Sequence, residues 1–274
     1  MLNQKIRFIG GGNMAQSLVA GLLNDNYDKN NISISEPQSK TRQDIRARFS
    51  VSTYENNNDN LSECSVVVLC IKPQIAHKVI ADLKIDKNTL IISIMAGIST
   101  SNIKNFNKNI GTVIRAMPNT PALIGSGATG LYAPDFATLK QKNFAESALR
   151  AVGITVWVKK EQQIDIITAV SGSGPAYFFL FVELLIKSAI DLGLNPEQAQ
   201  LLVLQTAAGS AKMLLESNLQ PNVLRQQVTS KGGTTEAAIN CFAKNNFDKI
   251  INDAVLCAYK KTQSMNKNLS IELK

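Results

Sequence analysis

Two short glycine-containing segments of the sequence have residue types and spacings that suit the binding of anions. The first is FIGGGNMAQSL, in which Gly10, Gly12 and Ala15 follow the spacing G-x-G-x-x-A between a strand pattern and a helix pattern. In such a loop the first glycine permits a tight turn, the second lets the backbone approach a pyrophosphate, and the alanine allows helix and strand to pack closely. Free N–H groups at the helix start then face the phosphates. The segment therefore predicts a dinucleotide-binding loop.

The second segment, VTSKGGTTEAA at 228–238, also precedes a helix pattern, more than two hundred residues later. It contains hydroxyls and two glycines but no aromatic residue, histidine or cysteine. It offers no metal ligands and no ready acid–base catalyst. From the residues alone it is either an ordinary helix N-cap or a nest in which the N–H groups of Gly232 and Gly233 converge on an anion.

An acidic residue that could meet the cofactor's ribose lies at the end of the second predicted strand, in ISISEPQSKTR. Glu36 by itself favours NAD, because a carboxylate accepts a hydrogen bond from the 2′-hydroxyl. The neighbours Ser35, Ser39, Lys40 and Arg42 could instead hold a 2′-phosphate. These residues leave the choice of dinucleotide open.

The first half of the chain alternates short apolar runs with helical patterns, which is typical of a parallel, doubly wound α/β sheet. The predicted strands are KIRFIG, NISIS, SVVVLCI, TLIISIM, GTVIRAM and ITVWV, and the predicted helices are NMAQSLVAGLLND, SKTRQDIRARF, QIAHKVIADL and FATLKQKNFAESALRAV. After about residue 160 only helical periods remain, broken by SGSGP, GLNP, NLQP and SKGG, with Asn195 as an N-cap before Pro196. We therefore predict a Rossmann-type domain over 1–160 and an all-helical domain over 161–274.

Composition and charge limit the classes of function. The helix PAYFFLFVELLIKSAIDLGL is apolar nearly all round, so we expect it to be buried against a second subunit. No uninterrupted run of about 18 apolar residues is present, so we expect no membrane span, and the N-terminus lacks a signal-peptide layout, which favours the cytoplasm. The net charge is +8, but the lysines are spread, so we expect no nucleic-acid partner.

The four cysteines have no CxxC spacing and are expected to be buried free thiols, and the single histidine, His77, is expected at the surface.

Five further segments follow predicted strands or open helices, and together they carry a resemblance. They are CIKPQ at 70–74, SIMAGI at 93–98, RAMPNTPALIGSGATG at 115–130, AVSGSGPAYFF at 169–179, and VTSKGGTTEAA. With FIGGGNMA, their order and spacing across nearly the whole chain resemble the pyrroline-5-carboxylate reductase family. The combination of MPNTPALIG, SGSGPAY and SxGGTT is far more specific than one glycine loop.

The resemblance implies a reaction, an assembly and a set of contacts. The reaction is hydride transfer from NAD(P)H to the C=N carbon of 1-pyrroline-5-carboxylate, which gives L-proline in the last step of proline biosynthesis. The implied architecture is a Rossmann domain followed by a helical domain that interlocks into homodimers, and dimers often form decamers. The implied cofactor contacts are Gly10, Gly12, Asn13, Met14, Ala15, Ser35, Glu36, Asn57 (or its neighbour Asn56 or Asn58), Cys70, Lys72, Pro73 and Ala96. The implied substrate contacts are Ser230, Gly233, Thr234 and Thr235.

Catalysis in such an enzyme is mainly positioning, because a protonated imine is already an electrophile. Thr235 and Lys72 are the predicted catalytic residues. The Thr235 hydroxyl is expected to bond the ring nitrogen, whereas Lys72 steadies the phosphates or the substrate anion and is not assigned as a proton donor. SGSGPAY is expected to form a tight turn into a buried helix, with Pro175 at its first position, and to wall the active site. No metal is expected.

Two positions depart from the family's usual pattern. Lys231 stands where the family commonly has proline, and an added cation beside a carboxylate loop should not harm the binding of an anion. Glu36 stands where many members have a small or neutral residue. NADPH is the predicted cofactor, on the family tendency and the nearby cations, with NADH as the alternative.

Two other functions fit the sequence less well than the reductase. A dehydrogenase of the 3-hydroxyacid type needs a catalytic lysine with an asparagine one turn later, and Lys212 lacks that asparagine. A non-catalytic dinucleotide-binding sensor would have an eroded SKGGTT or MPNTPA segment, and both segments are intact. The reductase is therefore the predicted function.

Overall fold

The computed structural model describes residues 4–271, with side chains described as far as residue 266. The chain forms two compact units, one of Met1–Ser173 with Cys257–Lys274 and one of Gly174–Leu256. The sequence prediction places a domain boundary between residues 160 and 161, whereas the first compact unit extends to Ser173. It extends further because the helix after the last strand packs on the sheet, where Gly130 leaves room for Ile167.

The first unit is built on an eight-stranded sheet in the order β3-β2-β1-β4-β5-β6-β7-β8. The strands are β1 (Ile6–Ile9), β2 (Ile32–Ser35), β3 (Ser52–Tyr54), β4 (Val66–Leu69), β5 (Leu90–Ser93), β6 (Val113–Met117), β7 (Gly127–Tyr132) and β8 (Gly153–Trp157). All neighbouring pairs are parallel except β6 and β7. The predicted parallel α/β sheet is confirmed, with one antiparallel pairing inserted.

The helices of the first unit connect these strands. They are α1 (Asn13–Asn24), α2 (Ser39–Phe49), α3 (Ala76–Ala81), α4 (Thr100–Phe106), α5 (Leu139–Arg150) and α6 (Gln163–Ile167). The central strands are buried on both faces, as the apolar run Val66–Leu69 predicts. One face of the sheet packs on α1 and α5, which bury Leu18 and Phe144. The other packs on α3 and α4, which bury Ile80 and Ile103.

Three elements were absent from the sequence prediction. Strand β7 lies in GATGLY, within a segment expected to be a loop, because its two glycines weaken the strand pattern. Strand β3 has three residues and α4 has seven, so neither gives a long periodic signal. Tertiary pairing, rather than local propensity, forms all three.

The second unit is helical. Its helices are α7 (Gly174–Asp191), α8 (Pro196–Glu216), α9 (Pro221–Gln227), α10 (Thr234–Lys244) and the first part of α11 (Phe247–Ile271), whose later part belongs to the first unit. The predicted start of α8 is confirmed: the Asn195 side chain accepts a hydrogen bond of 2.9 Å from the Glu197 amide, and Pro196 is the first helical residue.

The predicted break at SGSGP is wrong, because a π-helical turn over Thr168–Gly172 joins α6 to α7. Its hydrogen bond from the Ser173 amide to the Thr168 carbonyl spans five residues. Pro175 follows the first residue of α7 and has no N–H to offer the carbonyl of Ser171 four residues earlier. The Asn119 side-chain amide donates to that carbonyl instead, at 3.2 Å, so the helix can continue through the proline.

Helix α7 exposes most of its apolar side chains within the single chain. Phe178 is 74% exposed, Phe179 66% and Leu180 55%. The continuous stretch Gln163–Asp191 is long and apolar enough to cross a membrane by length and composition alone. Its apolar residues do not form an uninterrupted run in the sequence, because Glu183 and Lys187 lie among them.

The cysteines and the histidine match their predictions in part. The four thiols are free, and Cys64 is buried, but Cys241 and Cys257 are exposed in the single chain. Their expected burial is therefore wrong for the isolated chain, because α10 and α11 are themselves exposed. His77 lies at the surface as predicted, with its ring 5.0 Å from that of Phe106.

Candidate active site

The first glycine loop joins β1 to α1 and is held against the loop that follows β4. Gly10 has a φ of +97°, and a Cβ there would lie 2.7 Å from the carbonyl oxygen of Cys70. Both the backbone angle and the close approach require glycine at this position. The Gly10 amide donates to the Ser35 carbonyl at 2.8 Å, so one residue ties together the ends of β1, β2 and β4.

The start of α1 is open to an anion. Gly12 is its N-cap and provides no side-chain cap, so the first amides of the helix lack the partners that a capping side chain would supply. A Cβ at Gly12 would meet no atom within 4 Å, whereas Ala15 is fully buried against the sheet. Asn13 and Met14 are the first two residues of α1. Asn13 is exposed and Met14 is half-buried. The loop thus has a packed side and an open side, as a pyrophosphate site requires.

Glu36 lies across this loop. Its Oε2 accepts a hydrogen bond of 3.0 Å from the Gly11 amide, and its Oε1 accepts one of 3.0 Å from the Gln38 amide. The side chain is half-buried. The carboxylate is therefore fixed at the junction of the glycine loop and the end of β2, where a ribose would approach.

Ser35 has a different setting from the one that the sequence predicts. Its side chain is fully buried, and its hydroxyl accepts a hydrogen bond of 3.0 Å from Nη1 of Arg7. The hydroxyl therefore lies beneath the surface on which a cofactor would rest. The contact of Ser35 with the cofactor stays a prediction.

The cations that could hold a 2′-phosphate are not equally available. Arg42 donates to the carbonyls of Glu36 and Pro37 at 2.8 and 2.7 Å, and pairs with Glu55 at 2.7 Å. Its charge is thus already matched by a carboxylate. Lys40 and Ser39 are exposed in the first turn of α2.

The loop of 55–60 contains three candidate asparagines. The Asn58 side chain donates to the Asp82 carbonyl at 2.9 Å and accepts from the Lys84 amide at 2.8 Å, which commits it to closing the loop. Asn56 is exposed, and Asn57 is half-buried. The cofactor contact expected at Asn57, or at its neighbour Asn56 or Asn58, stays a prediction.

The loops after β4 and β5 supply the remaining predicted cofactor residues. Lys72 is exposed and caps a 3-10 turn that begins at Pro73. Burial raises the pKa of the Cys70 thiol, which favours its neutral form at neutral pH. Half-buried Ala96 precedes Gly97, which has a φ of +67° and lies against Met265 of α11.

Two polar side chains that order this unit, Asn119 and Arg115, were not predicted from the sequence. The amide of Asn119 donates to Ser171 and its Oδ1 accepts from the Ala128 amide at 2.9 Å, which joins the MPNTP, GSGATG and SGSG segments. Arg115 is buried and pairs with Glu161 and Asp165, each at 3.3 Å. Their sequence signal was weak, since each residue alone resembles a surface residue.

The Arg115 cluster reaches the loop after β5. Glu161 also accepts hydrogen bonds from the Thr100 amide at 2.7 Å and from its hydroxyl at 2.9 Å. Burial raises the pKa of Asp165, and the charge of Arg115 opposes that rise. The cluster therefore links the start of α4 to α6 at the cost of burying carboxylates.

The predicted substrate loop lies in the second unit, at the start of α10. Gly232 has a φ of +74°, Gly233 is the N-cap without a capping side chain, and the Gly233 amide donates to the Ser230 carbonyl at 3.0 Å. The Gly232 amide donates to Oε2 of Glu236 at 2.7 Å. A carboxylate thus already lies on this loop, as expected for backbone amides that favour an anion.

Two hydroxyl side chains stand at this helix start. Thr234 is exposed, Thr235 is half-buried, and Lys231 is exposed beside them. Among the residues that the structure describes, no group of three or more His, Cys, Asp or Glu side chains could hold a metal ion. The chemistry available here is that of hydroxyls and amides.

The predicted cofactor residues of the first unit come together at one edge of the sheet. The loops that begin at Gly10, Glu36 and Cys70 follow β1, β2 and β4, and β1 lies between the other two strands. Ala96 follows β5, the next strand along. Carboxyl ends of parallel strands that meet in this way form the binding edge of an open α/β sheet.

Comparison with known proteins identifies both halves of the chain. Residues 161–265 match a family model described as pyrroline-5-carboxylate reductase dimerisation, and residues 5–97 match one described as NADP oxidoreductase, coenzyme F420-dependent. The chain is 41% identical over 268 residues to a pyrroline-5-carboxylate reductase of Haemophilus influenzae, covering 97% of this chain and 98% of that protein.

Solved structures agree with the sequence comparison. A pyrroline-5-carboxylate reductase from Coxiella burnetii superposes with a TM-score of 0.88 at 40% identity, covering 96% of this chain and 98% of that one. A Plasmodium falciparum pyrroline carboxylate reductase with NADP bound superposes with a TM-score of 0.85 at 30% identity, covering 97% and 99%.

Proposed function

This chain belongs to the pyrroline-5-carboxylate reductase family, and we propose the activity that this membership implies. It is an oxidoreductase that reduces 1-pyrroline-5-carboxylate to L-proline with NAD(P)H, in proline biosynthesis. One structural observation carries the proposal for the first unit. Three loops meet at the edge of the sheet around the uncapped start of α1, with Gly10 packed on Cys70.

We propose that the first unit holds the dinucleotide, which supplies the hydride. The amides at the start of α1 would face its pyrophosphate, and Glu36 and Asn57 would lie on the adenosine side. Pro73 and Ala96 would border the nicotinamide side, with exposed Lys72 near the phosphates or the substrate anion. The loops are already ordered by their own hydrogen bonds, so little rearrangement is needed for binding.

We propose that the substrate loop of the second unit supplies the contacts to pyrroline-5-carboxylate. Ser230 and the amides of Gly233 and Thr234 would hold the carboxylate, because the start of α10 has no capping side chain. The Thr235 hydroxyl would bond the imine nitrogen and orient the ring. A protonated imine needs no further acid, so this chain contributes orientation and charge rather than a strong general acid.

We propose NADPH as the preferred reductant and NADH as the weaker one. A family model named for NADP oxidoreductases matches residues 5–97, which supports this preference. Glu36 opposes it, because a carboxylate repels a 2′-phosphate, and Arg42 is already paired with Glu55. The preference therefore depends on other positive groups near the end of β2.

The chain oligomerises through its helical domain, which the dimerisation model matches over residues 161–265. We propose that this domain begins at residue 161 and that α7 lies in the interface between two copies. We further propose that dimers assemble into a decamer in the cytoplasm, without a nucleic-acid or membrane partner. The exposed apolar face of α7 supports subunit contact.

The test is a reductase assay with purified protein. Oxidation of NADPH should require pyrroline-5-carboxylate and should yield L-proline in equal amount. The same assay with NADH should give a lower kcat/KM. Dinucleotide binding without proline formation would contradict the proposed activity.

A further inference from the structure

One buried cation lies behind the predicted adenosine side of the cofactor site and has no assigned role. Arg7 is in the middle of β1, a central strand, and is 1% exposed. A central strand position of this kind is ordinarily filled by an apolar side chain, as its neighbours Ile6 and Phe8 show. A charge at this position therefore needs a physical reason.

Neutral groups satisfy the hydrogen bonds of Arg7. Its Nε donates to the Ser33 hydroxyl at 2.8 Å, its Nη1 to the Ser35 hydroxyl at 3.0 Å, and its Nη2 to the Asp59 carbonyl at 2.8 Å. The guanidinium carbon lies 4.0 Å from the centre of the Tyr54 ring. No carboxylate of the described residues forms an ion pair with Arg7, and the neighbouring Glu63 pairs with Lys5 instead. The positive charge is bonded but not neutralised.

The partners of Arg7 belong to the segments that would surround the ribose. Ser35 ends β2, directly before Glu36, and its carbonyl accepts from the Gly10 amide. The Glu36 amide donates to the Tyr54 carbonyl at 2.9 Å, and Asp59 lies in the same loop as Asn57. One guanidinium therefore holds in place the end of β2, the end of β3 and the 55–60 loop.

A buried charge without a partner is costly, although Arg7 remains protonated at neutral pH. Burial lowers the pKa of Arg7, and the nearby groups Cys64, Tyr54, Asp59 and Glu63 act in the opposite direction. The cost is reduced if an anion binds close by in a site of low dielectric. NADPH differs from NADH by one such anion, the 2′-phosphate.

We propose, on the basis of the function proposed above, that Arg7 is a positioning residue that sets the preference for NADPH. Its guanidinium donates to the Ser35 hydroxyl, one residue before Glu36, so its positive charge would favour a 2′-phosphate bound at the end of β2. Arg42, which is nearer the surface, contributes less because Glu55 pairs with it. The proposal explains how a chain with Glu36 at this position can use NADPH.

Two variants test the charge in different ways. Arg7→Met removes the cation and keeps an apolar side chain of similar length. Ser33→Asp leaves Arg7 in place and puts a carboxylate beside its Nε, which pairs the charge. Ser33→Asn is the matched control, because asparagine has nearly the same size as aspartate but carries no charge. Thermal unfolding of each variant verifies that it is folded.

The readout is the dissociation constant of each dinucleotide, measured by titration without substrate. We expect Arg7→Met and Ser33→Asp each to raise the dissociation constant of NADPH by roughly tenfold. The dissociation constant of NADH should change by less than about threefold. Ser33→Asn should leave the ratio of the two constants within about twofold of wild type. If Arg7→Met does not fold, the proposal is tested by comparing the ratio of the two dissociation constants in Ser33→Asp with that in Ser33→Asn.

Two results would overturn the role of Arg7. Equal weakening of both dinucleotides would mean that Arg7 only supports the local structure, and unchanged binding in the folded variants would mean that its charge does not reach the site. Failure of the proposed function gives a different result, since wild-type protein would then form no proline even where it binds a dinucleotide.

Discussion

The two glycine loops of this chain are built alike but lie in different surroundings. Each contains a glycine with positive φ, +97° at Gly10 and +74° at Gly232. Each leads to a helix start without a side-chain cap, and each has a carboxylate on a glycine amide, Glu36 on Gly11 and Glu236 on Gly232. Both loops therefore have the same local chemistry, a set of backbone amides that favours an anion.

The surroundings of the loops differ. A Cβ at Gly10 would collide with the Cys70 carbonyl, whereas a Cβ at Gly232 would meet nothing within 4 Å. The first loop is fixed by the sheet of its own chain, and the second lies in an exposed helical unit. We infer that dinucleotide binding is preformed in one chain, whereas substrate binding depends on assembly.

The largest expected effect comes from breaking the assembly. Phe178→Asp places a charge on the exposed apolar face of α7, so it should convert the oligomer to monomers and lower kcat/KM by more than about 100-fold. The NADPH dissociation constant should stay within about threefold of wild type, because the first loop is complete in one chain. Light scattering, steady-state kinetics and a binding titration measure these three quantities.

The control for that variant is Phe136→Asp. Phe136 is 62% exposed, close to the 74% of Phe178, but lies in the first unit. This change should leave the mass and the activity near wild type. A fully active Phe178→Asp monomer would show that the second loop needs no partner, and the contrast between the loops would be lost.

The next effect separates the two glycines of the first loop. Gly10→Ala should lower the Tm by roughly 3–10 °C, because it introduces both a clash with Cys70 and an unfavourable φ. Gly12→Ala should leave the Tm within about 1 °C of wild type, since the added Cβ would point into open space. It should nevertheless raise the dissociation constant of NADPH by roughly tenfold, because the Cβ fills the approach to the pyrophosphate. Thermal unfolding and dinucleotide titration test both. Equal effects of the two changes on Tm would contradict the packed and open sides assigned to the loop.

A third change concerns the helix start in the second unit. Thr235→Ala should lower kcat/KM for pyrroline-5-carboxylate by roughly 10–100-fold, the scale of one lost hydrogen bond in the transition state. The KM for NADPH should barely move, because the contact is with the substrate. Thr235→Ser keeps the hydroxyl and should retain most activity, and Thr234→Ala should have little effect if only its amide is used. Wild-type kcat/KM in Thr235→Ala would remove this residue from the mechanism.

Much of the first unit follows from its sequence, because its central strands are apolar runs buried on both faces and its first loop has a known spacing. The second loop was found by its combination of residues and by resemblance rather than by any periodic pattern. The sequence did not predict β7, whose glycines weaken the strand pattern, or the π-helical turn before Pro175. That turn depends on the Asn119 side chain, 52 positions from Ser171, and no local pattern shows such a contact.

The residues of the first unit whose settings the sequence does not reveal are buried and polar. Arg7 and Arg115 are the two largest fully buried side chains, and each stands in a strand that would be apolar by pattern alone. Their partners come from distant segments, so the contacts exist only in the folded chain. The burial of the Ser35 hydroxyl, which accepts a hydrogen bond from Arg7, is likewise not visible in the sequence pattern.

The smallest expected effect concerns the carboxylate on the first loop. Glu36→Ser removes a like charge from the site of the 2′-phosphate, so it should raise the NADPH/NADH ratio of kcat/KM severalfold, on the order of threefold to tenfold. It also removes the acceptor for the Gly11 and Gln38 amides, so part of the gain is offset by a looser loop. Glu236→Ser, the equivalent change on the second loop, should leave this ratio unchanged because that loop is assigned to the substrate. If Glu36→Ser leaves the ratio unchanged, Glu36 does not face the ribose, and the carboxylate serves only to cap the loop.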